Sequence, residues 1–308
     1  MPLSTAITIG NFDGVHRGHA ALIQAARDTV GDQGRVIALC FDPHPARILH
    51  PDSPSAGPAR LSSFAEREAG LLDTGADEVI RLQPTPEFLG QSPDAFIASL
   101  TQQYGPKVIV EGPDFRFGQK RAGSVATLRK LEEKYGYKTM IIDPVETALS
   151  DGLVVTISST MIRNLLIQGR VGDVSRLLGR PYSLNCPIVM GDRRGRTIGF
   201  PTANLDPGDR LLPADGIYAG LAHRPDGANF PASISIGSKP TFGASPRTCE
   251  AFLIGYNGPV DDYGWIIQLE FHHWQRDQLK FSAIPALIEQ IKRDTERTES
   301  LMDPLVTA

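Results

Sequence analysis

The periodicity of this chain changes once, near Arg180, and that change decides what the chain can fold into. Before it, short apolar runs alternate with helical patterns. "TAITIG" precedes a helix from Gly18, and "RVIALCF" (Arg35 to Phe41) precedes a Pro-rich stretch, "DPHPARILHPDSPSAGPAR", whose prolines argue against any regular element. The helical "SSFAEREAGLLDTG" leads to the strand "ADEVIRL". "SPDAFIASLTQQYG" is a helix with Ser92 as N-cap, Pro93 in the first turn and Gly105 as terminator, and it leads to "KVIVEG". "SVATLRKLEEKYG" leads to "KTMIID". Such alternation makes a doubly wound parallel sheet of Rossmann-like layout. After Arg180, "CPIVMG", "GIYAGLAH", "ASISIG", "CEAFLIGY" and "WIIQLEFH" follow one another without helices. They read as a mainly antiparallel barrel or sandwich, closed by one C-terminal helix, "IPALIEQIKRDTERTESLM". The expected domains are residues 1–180 and 181–308.

A length of 308 residues suits two domains of about 150 residues each. A net charge of −4 argues neither for a nucleic-acid partner nor for a membrane surface. Cys40, Cys186 and Cys249 are scattered without CxxC spacing, which suits core packing in a reducing compartment. With no apolar run long enough to span a bilayer and no signal-peptide pattern, the expected location is cytoplasmic. The sequence leaves the oligomeric state open, self-association included.

In parallel sheets, ligands sit beyond the carboxyl ends of strands, where the strand order reverses. "TIGNFDGVHRGH" (Thr8 to His19) occupies that position after the first strand. His16 and His19 lie three apart near a helix N-terminus, whose free N–H groups and partial positive charge favour phosphate. His44 in "FDPHP" follows the second strand between two prolines. "EGPDFRFGQKRAG" mixes aromatics with Arg116, Lys120 and Arg121, as a ring-binding wall beside an anion site would. "ISSTMIR" opens a helix: Ser159 alone reads as an N-cap, but with Thr160 and Arg163 it reads as a second phosphate cradle. The adjacent His272 and His273 point to opposite faces of a strand and do not form a metal pair. No P-loop and no GxGxxG is present.

"TIGNFDGVHRGH", "FDPHP", "GPDFRFG" and "ISSTMIR", followed by "LLGRPY", "GDRRGRTIGFPTANL", "LLPADGIYAG", "SIGSKPTFG" and "CEAF", resemble the bacterial bifunctional riboflavin kinase/FAD synthetase family over nearly the whole chain. The resemblance implies an N-terminal nucleotidyltransferase domain that transfers AMP from ATP to FMN and releases pyrophosphate. His16 and His19 would hold the ATP phosphates as hydrogen-bond donors, a cationic form being left open, with Gly10, Asn11, Phe12 and Gly18 around them. Ser158, Ser159, Thr160 and Arg163 would grip the phosphates from the other side. His44, Asp114, Phe115 and Arg116 would lie toward flavin or nucleotide. The C-terminal domain would be a six-stranded barrel that phosphorylates riboflavin. Thr202 and Asn204 would bind Mg²⁺, although "PTAN" by itself also reads as an ordinary turn. Gly191, Gly195, Gly199, Pro201 and Arg276 would contact nucleotide or flavin. Glu250 would be the general base, an inward-facing carboxylate on its strand that would be expensive unless used or paired.

This chain departs from the family's usual pattern at Gly255, in the loop "GYNGPVDDYG", at Ser238 and Lys239, and at Trp274. Three other readings stand beside the leading one: a chain that keeps a single activity, a flavin-binding regulator without turnover, and a cytidylyltransferase-like enzyme for another small alcohol phosphate, which would leave the "GFPTAN" module without a purpose.

Overall fold

The first half of the chain folds into strands alternating with helices. The computed structural model describes residues 4–50, 52–53, 57–238, 247–259 and 263–306, the side chains at 194 and 306 apart. Its elements begin β1 (Thr5–Gly10), α1 (Arg17–Val30), β2 (Arg35–Phe41), α2 (Pro45–Leu49), α3 (Phe64–Asp73), β3 (Glu78–Leu82), α4 (Pro86–Leu89) and α5 (Pro93–Tyr104). They continue with β4 (Val108–Glu111), β5 (Arg116–Phe117), β6 (Gly123–Ser124), α6 (Val125–Tyr135), β7 (Lys138–Ile141), β8 (Glu146–Ala148) and β9 (Val154–Thr156).

Five strands form a parallel sheet in the order β3-β2-β1-β4-β7. Ala6, Val36, Ala38, Cys40, Val108 and Val110 face one way, onto Ile23 and Ala26 of α1 and Leu71 of α3. Ile7, Ile9, Ile37, Leu39 and Ile109 face the other way, onto Phe96, Ile97 and Leu100 of α5 and Leu128 of α6. Cover on both faces explains the near-continuous apolar runs of these strands. The helix boundaries follow local chemistry. Ser63 and Glu66 form a capping box on α3, Ser92 caps α5 ahead of Pro93, and Gly105 and Gly136 end α5 and α6 in left-handed conformations. Among its described residues the Pro-rich stretch does hold a regular element, the short helix α2. Pro45 sits in its first turn, where no N–H is needed, and the His44 ring accepts the Ala46 N–H.

The second half comprises α7 (Ser159–Leu166), α8 (Val171–Leu178), β10 (Tyr182–Val189), α9 (Arg194–Thr197), β11 (Ala203–Leu205), β12 (Gly216–His223), β13 (Asn229–Gly237), β14 (Thr248–Leu253), β15 (Ile266–Arg276) and α10 (Ile284–Val306). Six strands close into a barrel in the order β10-β11-β14-β13-β12-β15. The "PTAN" stretch supplies the sixth strand, β11, which is short and pairs with β10 and β14. Leu184, Cys186, Tyr218, Ile234, Cys249, Ala251, Leu269 and Phe271 are buried in the barrel. At Gly220 the β15 backbone leaves no room for a side chain: a Cβ there would overlap the Glu270 carbonyl oxygen at 1.8 Å. Helix α10 covers the outside of β12 and β13.

His272 sits at a β-bulge, where the pairing of β12 with β15 steps from Ala219/His273 to Gly220/Phe271. Its Nε2 lies 2.9 Å from a Glu270 carboxylate oxygen, while His273 is exposed.

Contacts divide the chain into two compact units, Met1–Thr147 with Val154–Ser159, and Ala148–Leu153 with Thr160–Ala308. The division falls ahead of the change in periodicity at Arg180. Helix α8 buries Val171, Val174, Leu177 and Leu178 and packs on β10 and β15, so it groups with the barrel.

Candidate active sites

In the first unit the strand order reverses between β1 and β4. These strands pair only at Ala6/Val108 and Ile7/Ile109. Further on, the Ile9 N–H donates to the Glu111 carboxyl (2.7 Å) instead of to a strand. The carboxyl ends of β1 and β4 therefore part, and a cleft of about 960 Å³ opens there. Burial pushes the Glu111 carboxyl well above the usual carboxylate range, and the Ile9 hydrogen bond offsets this only in part.

The loop from β1 to α1 is held under strain. Phe12 (φ 48°) and Val15 (φ 40°) are left-handed without being glycine, a conformation that costs on the order of 1–3 kcal/mol for each residue. Side chains around the loop hold it in place. The Asp13 carboxylate accepts the Leu61 and Ser62 N–H groups (3.1 Å each) and the Ser62 hydroxyl (3.2 Å). Ser62 Oγ in turn accepts the Gly14 N–H at 2.9 Å, and the buried Phe12 ring meets His19 edge-on at 5.2 Å.

The loop delivers the two histidines as a pair. His16 caps α1, and each ring's Nδ1 accepts the other residue's backbone N–H at 3.3 Å, with the rings stacked 3.6 Å apart. With Nδ1 accepting, a neutral ring carries its proton on Nε2 and presents an N–H donor. Burial, and then the neighbouring His16, hold His19 well below the usual histidine range, which favours its neutral form with a hydrogen on Nε2.

The cleft brings together Gly10, Asn11, His16, Gly18, His19, His44, Asp114, Phe115, Arg116 and Ser158. Asn11 Oδ1 is buried and has no partner among the described residues. Phe12 lies beneath the cleft instead of lining it. The Ser159 hydroxyl donates to the Asp13 carbonyl at 2.8 Å, which fastens the start of α7 to the histidine loop. Thr160 and Arg163, further along α7, belong to the second unit.

Sequence reasoning missed most of the aromatic wall. Phe41, Phe88, Phe96, Phe117 and Phe115 run along one side of the cleft in sequential ring contacts of 5.4–5.9 Å. They come from four segments, of which only "DFRF" betrayed itself in the sequence. The Glu111 signal was a carboxylate ending the otherwise apolar strand "VIVE". Arg116, Lys120 and Arg121 line the same cleft, Lys120 and Arg121 with φ of 52° and 59°.

The second unit holds a smaller cavity, about 200 Å³, between the barrel wall and α10. Alternation along β14 buries Cys249, Ala251 and Leu253 inside the barrel, which turns Glu250 outward. Glu250 is therefore not an inward-facing carboxylate; it lies on the outer face, as part of the cavity wall. Thr202 Oγ1 donates to Glu250 Oε2 and Thr248 Oγ1 to Oε1, both at 3.3 Å. Asn204 stands opposite Glu250 across the β11–β14 pair, and Ser235 stands opposite it on β13. Gly195, Thr202, Asn204 and Arg276 also line this cavity, and Gly191 and Pro201 line an adjoining hollow. Gly199 is left-handed (φ 90°) in the turn before β11. Arg276 holds α10 down: its Nε and Nη2 reach Asp294 at 3.0 and 2.5 Å. Leu287 and Ile291 of α10 complete the roof.

The donor chemistry here fits Mg²⁺. Thr202 and Asn204 offer neutral oxygens, and Mg²⁺ commonly takes few protein ligands beside water and substrate phosphate. A Cβ at position 191 would lie 2.2–2.4 Å from the Asn204 amide, so Gly191 leaves the space that side chain occupies. Among the described residues no group of three or more His, Cys, Asp or Glu is arranged to hold a metal. Lys239 and the "PTF" stretch lie outside the described residues, as do residues 260–262 of the loop after Gly255.

Comparison with known proteins adds two family matches: FAD synthetase over residues 2–160 and riboflavin kinase over residues 178–302. The bifunctional riboflavin kinase/FMN adenylyltransferase of Escherichia coli K12 is 34% identical over 298 residues, covering 94% of this chain and 90% of its own. The Listeria monocytogenes protein of the same name is 31% identical over 306 residues, covering 98% and 94%. Among solved structures, one described as a macrolide-efflux protein from Streptococcus pneumoniae matches with a TM-score of 0.84 at 30% identity, covering 97% of this chain and 95% of its own. That description and the family matches point to different activities. Among the described residues no helix is long and apolar enough to cross a membrane.

Proposed function

The chain belongs to the bifunctional riboflavin kinase/FMN adenylyltransferase family, and from that premise we propose that its two cavities carry the two successive steps. In the barrel unit the riboflavin 5′-hydroxyl attacks the γ-phosphorus of ATP, its proton passes to Glu250, and ADP leaves. In the sheet unit an oxygen of the FMN phosphate attacks the α-phosphorus of a second ATP, and pyrophosphate leaves. Protein groups mainly position the reactants and offset phosphate charge in such transfers.

What supports this reading most is that the two hollows carry different chemistry. The first has N–H donors at a helix N-terminus, an aromatic wall and cations, which suit phosphates beside flat rings. Histidines 16 and 19 would donate Nε2–H to phosphate oxygens, with Gly10, Asn11, Gly18 and Ser158 around them. His44, Asp114, Phe115 and Arg116 would face flavin or adenine. Arg116, Lys120 and Arg121, which line the same cleft, would offset the charge of two phosphorylated substrates. Thr160 and Arg163 are assigned to ATP phosphates on their place in "ISSTMIR".

In the second hollow Glu250 would accept the proton, and Thr202 and Thr248 would hold its carboxylate by hydrogen bonds. Thr202 and Asn204 would hold Mg²⁺, which when bound supplies positive charge to the phosphates of ATP. Gly191, Gly195, Gly199 and Pro201 would shape the nucleotide loop, and Arg276 would keep α10 over the flavin. We place the boundary between the activities in the α7–α8 segment, ahead of Arg180. Cysteines 40, 186 and 249 are buried and not joined by disulfides, which suits a reducing cytoplasm.

The test is direct. Purified protein incubated with riboflavin, ATP and Mg²⁺ should yield FMN and then FAD on chromatographic separation of the flavins. Unchanged riboflavin would refute the kinase assignment, and FMN that never becomes FAD would refute the synthetase assignment.

A further inference from the structure

Arg67 belongs to none of the motifs that carry the family resemblance, and it sits on α3 with 4% exposure. Its guanidinium spans the carboxyl ends of two neighbouring strands. Nη1 donates to the carbonyl oxygens of Asn11 and Phe41, both at 2.8 Å, and lies 3.3 Å from Cys40 Sγ. Nη2 donates to Asp42 Oδ1 at 2.6 Å, and Nε to the Ser63 carbonyl at 3.4 Å. Asn11 opens the loop that ends at the paired histidines. Phe41 and Asp42 open the loop that carries His44. One buried fork thus holds both cleft loops at a set spacing.

The rest of the segment serves the same loops. Leu61 and Ser62 clamp Asp13, and Ser62 accepts the Gly14 N–H. Arg60 and the largely exposed Arg81 share the Asp42 carboxylate with Arg67. A buried cation is retained only when paired and hydrogen-bonded, and a planar fork reaches two carbonyls and a carboxylate at once, as an ammonium does not. The first loop also carries the left-handed Phe12 and Val15, so it needs an outside tie to keep its shape.

We propose that Arg67 is a positioning residue for adenylyl transfer, setting the distance between the histidine loop and the His44 loop without touching substrate. The proposal rests on the assignment of that reaction to the first unit. Wild-type protein that makes no FAD from FMN and ATP would remove that assignment before any variant is made.

The test uses the full chain, whose riboflavin kinase activity serves as an internal control for folding. Arg67→Met should lower kcat for FAD formation by about 10²-fold, the loss typical of a misplacement of about 1 Å. The KM values for ATP and FMN should move only a few-fold, and FMN formation from riboflavin should stay unchanged. Added guanidinium chloride, at concentrations too low to unfold the protein, should restore part of kcat. Arg67→Lys keeps the buried charge but not the fork and should still lose about tenfold. Arg81→Met should stay within about twofold of wild type. A wild-type kcat in Arg67→Lys would overturn the proposal, because charge alone would then suffice. So would equal losses in Arg67→Met and Arg81→Met, which would make the Asp42 charge balance the controlling factor. Loss of both activities in Arg67→Met without guanidinium rescue would assign Arg67 to the fold alone.

Discussion

Replacing Glu111 by Gln should make the protein more stable as pH rises, relative to wild type. Glu111 is 3% exposed at the parting of β1 and β4, and burial favours its neutral form. Below the ordinary value of 4.5, folded and unfolded chains both hold the proton, and the group costs nothing. Above it the unfolded chain releases the proton while the folded chain keeps it. Stability therefore falls by about 1.4 kcal/mol per pH unit until the raised folded-state pKa is reached. Gln is neutral throughout, nearly the same shape, and keeps an oxygen for the Ile9 N–H. Its added N–H groups can face the cleft that Glu111 lines, where water accepts them. One kcal/mol is worth about 2–4 °C in a unit of this size, so the Tm gap should widen by roughly 3–6 °C per pH unit above about pH 4.5. Scanning calorimetry of both full-length proteins at fixed ionic strength, from about pH 4 to 7, measures this. FAD formation by the variant should stay near the wild-type rate, because the strand ends remain parted. Tm curves that run parallel across that range would refute the reasoning, since Glu111 would then ionise alike in both states.

Three more outcomes are expected. His19→Ala should reduce FAD formation by about 10²–10³, the typical loss for one donor to a reacting oxyanion, and should spare FMN formation; equal loss of both in a folded protein would make His19 structural. Glu250→Gln keeps the shape and the threonine hydrogen bonds but cannot take a proton, so kcat on riboflavin should fall by about 10²–10⁴ with KM nearly unchanged; near-wild-type turnover would place the base elsewhere. A fragment beginning at Thr160 should make FMN and melt well above one beginning at Pro181. The shorter fragment lacks the buried apolar side chains of α8, each worth about 1.5–3 kcal/mol; equal melting temperatures would show that α8 does not support the barrel.

Much of the architecture was legible from the sequence because its causes are local. Apolar period and capping chemistry placed the sheet strands and the main helices of the first unit, and the Ser63/Glu66 box and the Gly105 terminus lie where those residue types require. The loop between β1 and α1 was likewise marked by its glycines and histidines. The errors came where partners are distant. Glu250 faces outward because Cys249 and Ala251 fill the barrel, and β11 is a strand only because β10 and β14 flank it. Helix α8 joins the barrel through side chains that a change in periodicity does not register. Arg67 and Asp42 are 25 residues apart, and Ile9 and Glu111 are 102 apart. Local sequence specifies which conformation a segment prefers and which face is apolar. Which carbonyl a buried guanidinium reaches, and which strand end a buried acid parts, is decided only when packing removes water and leaves each polar group to find its partner in the fold.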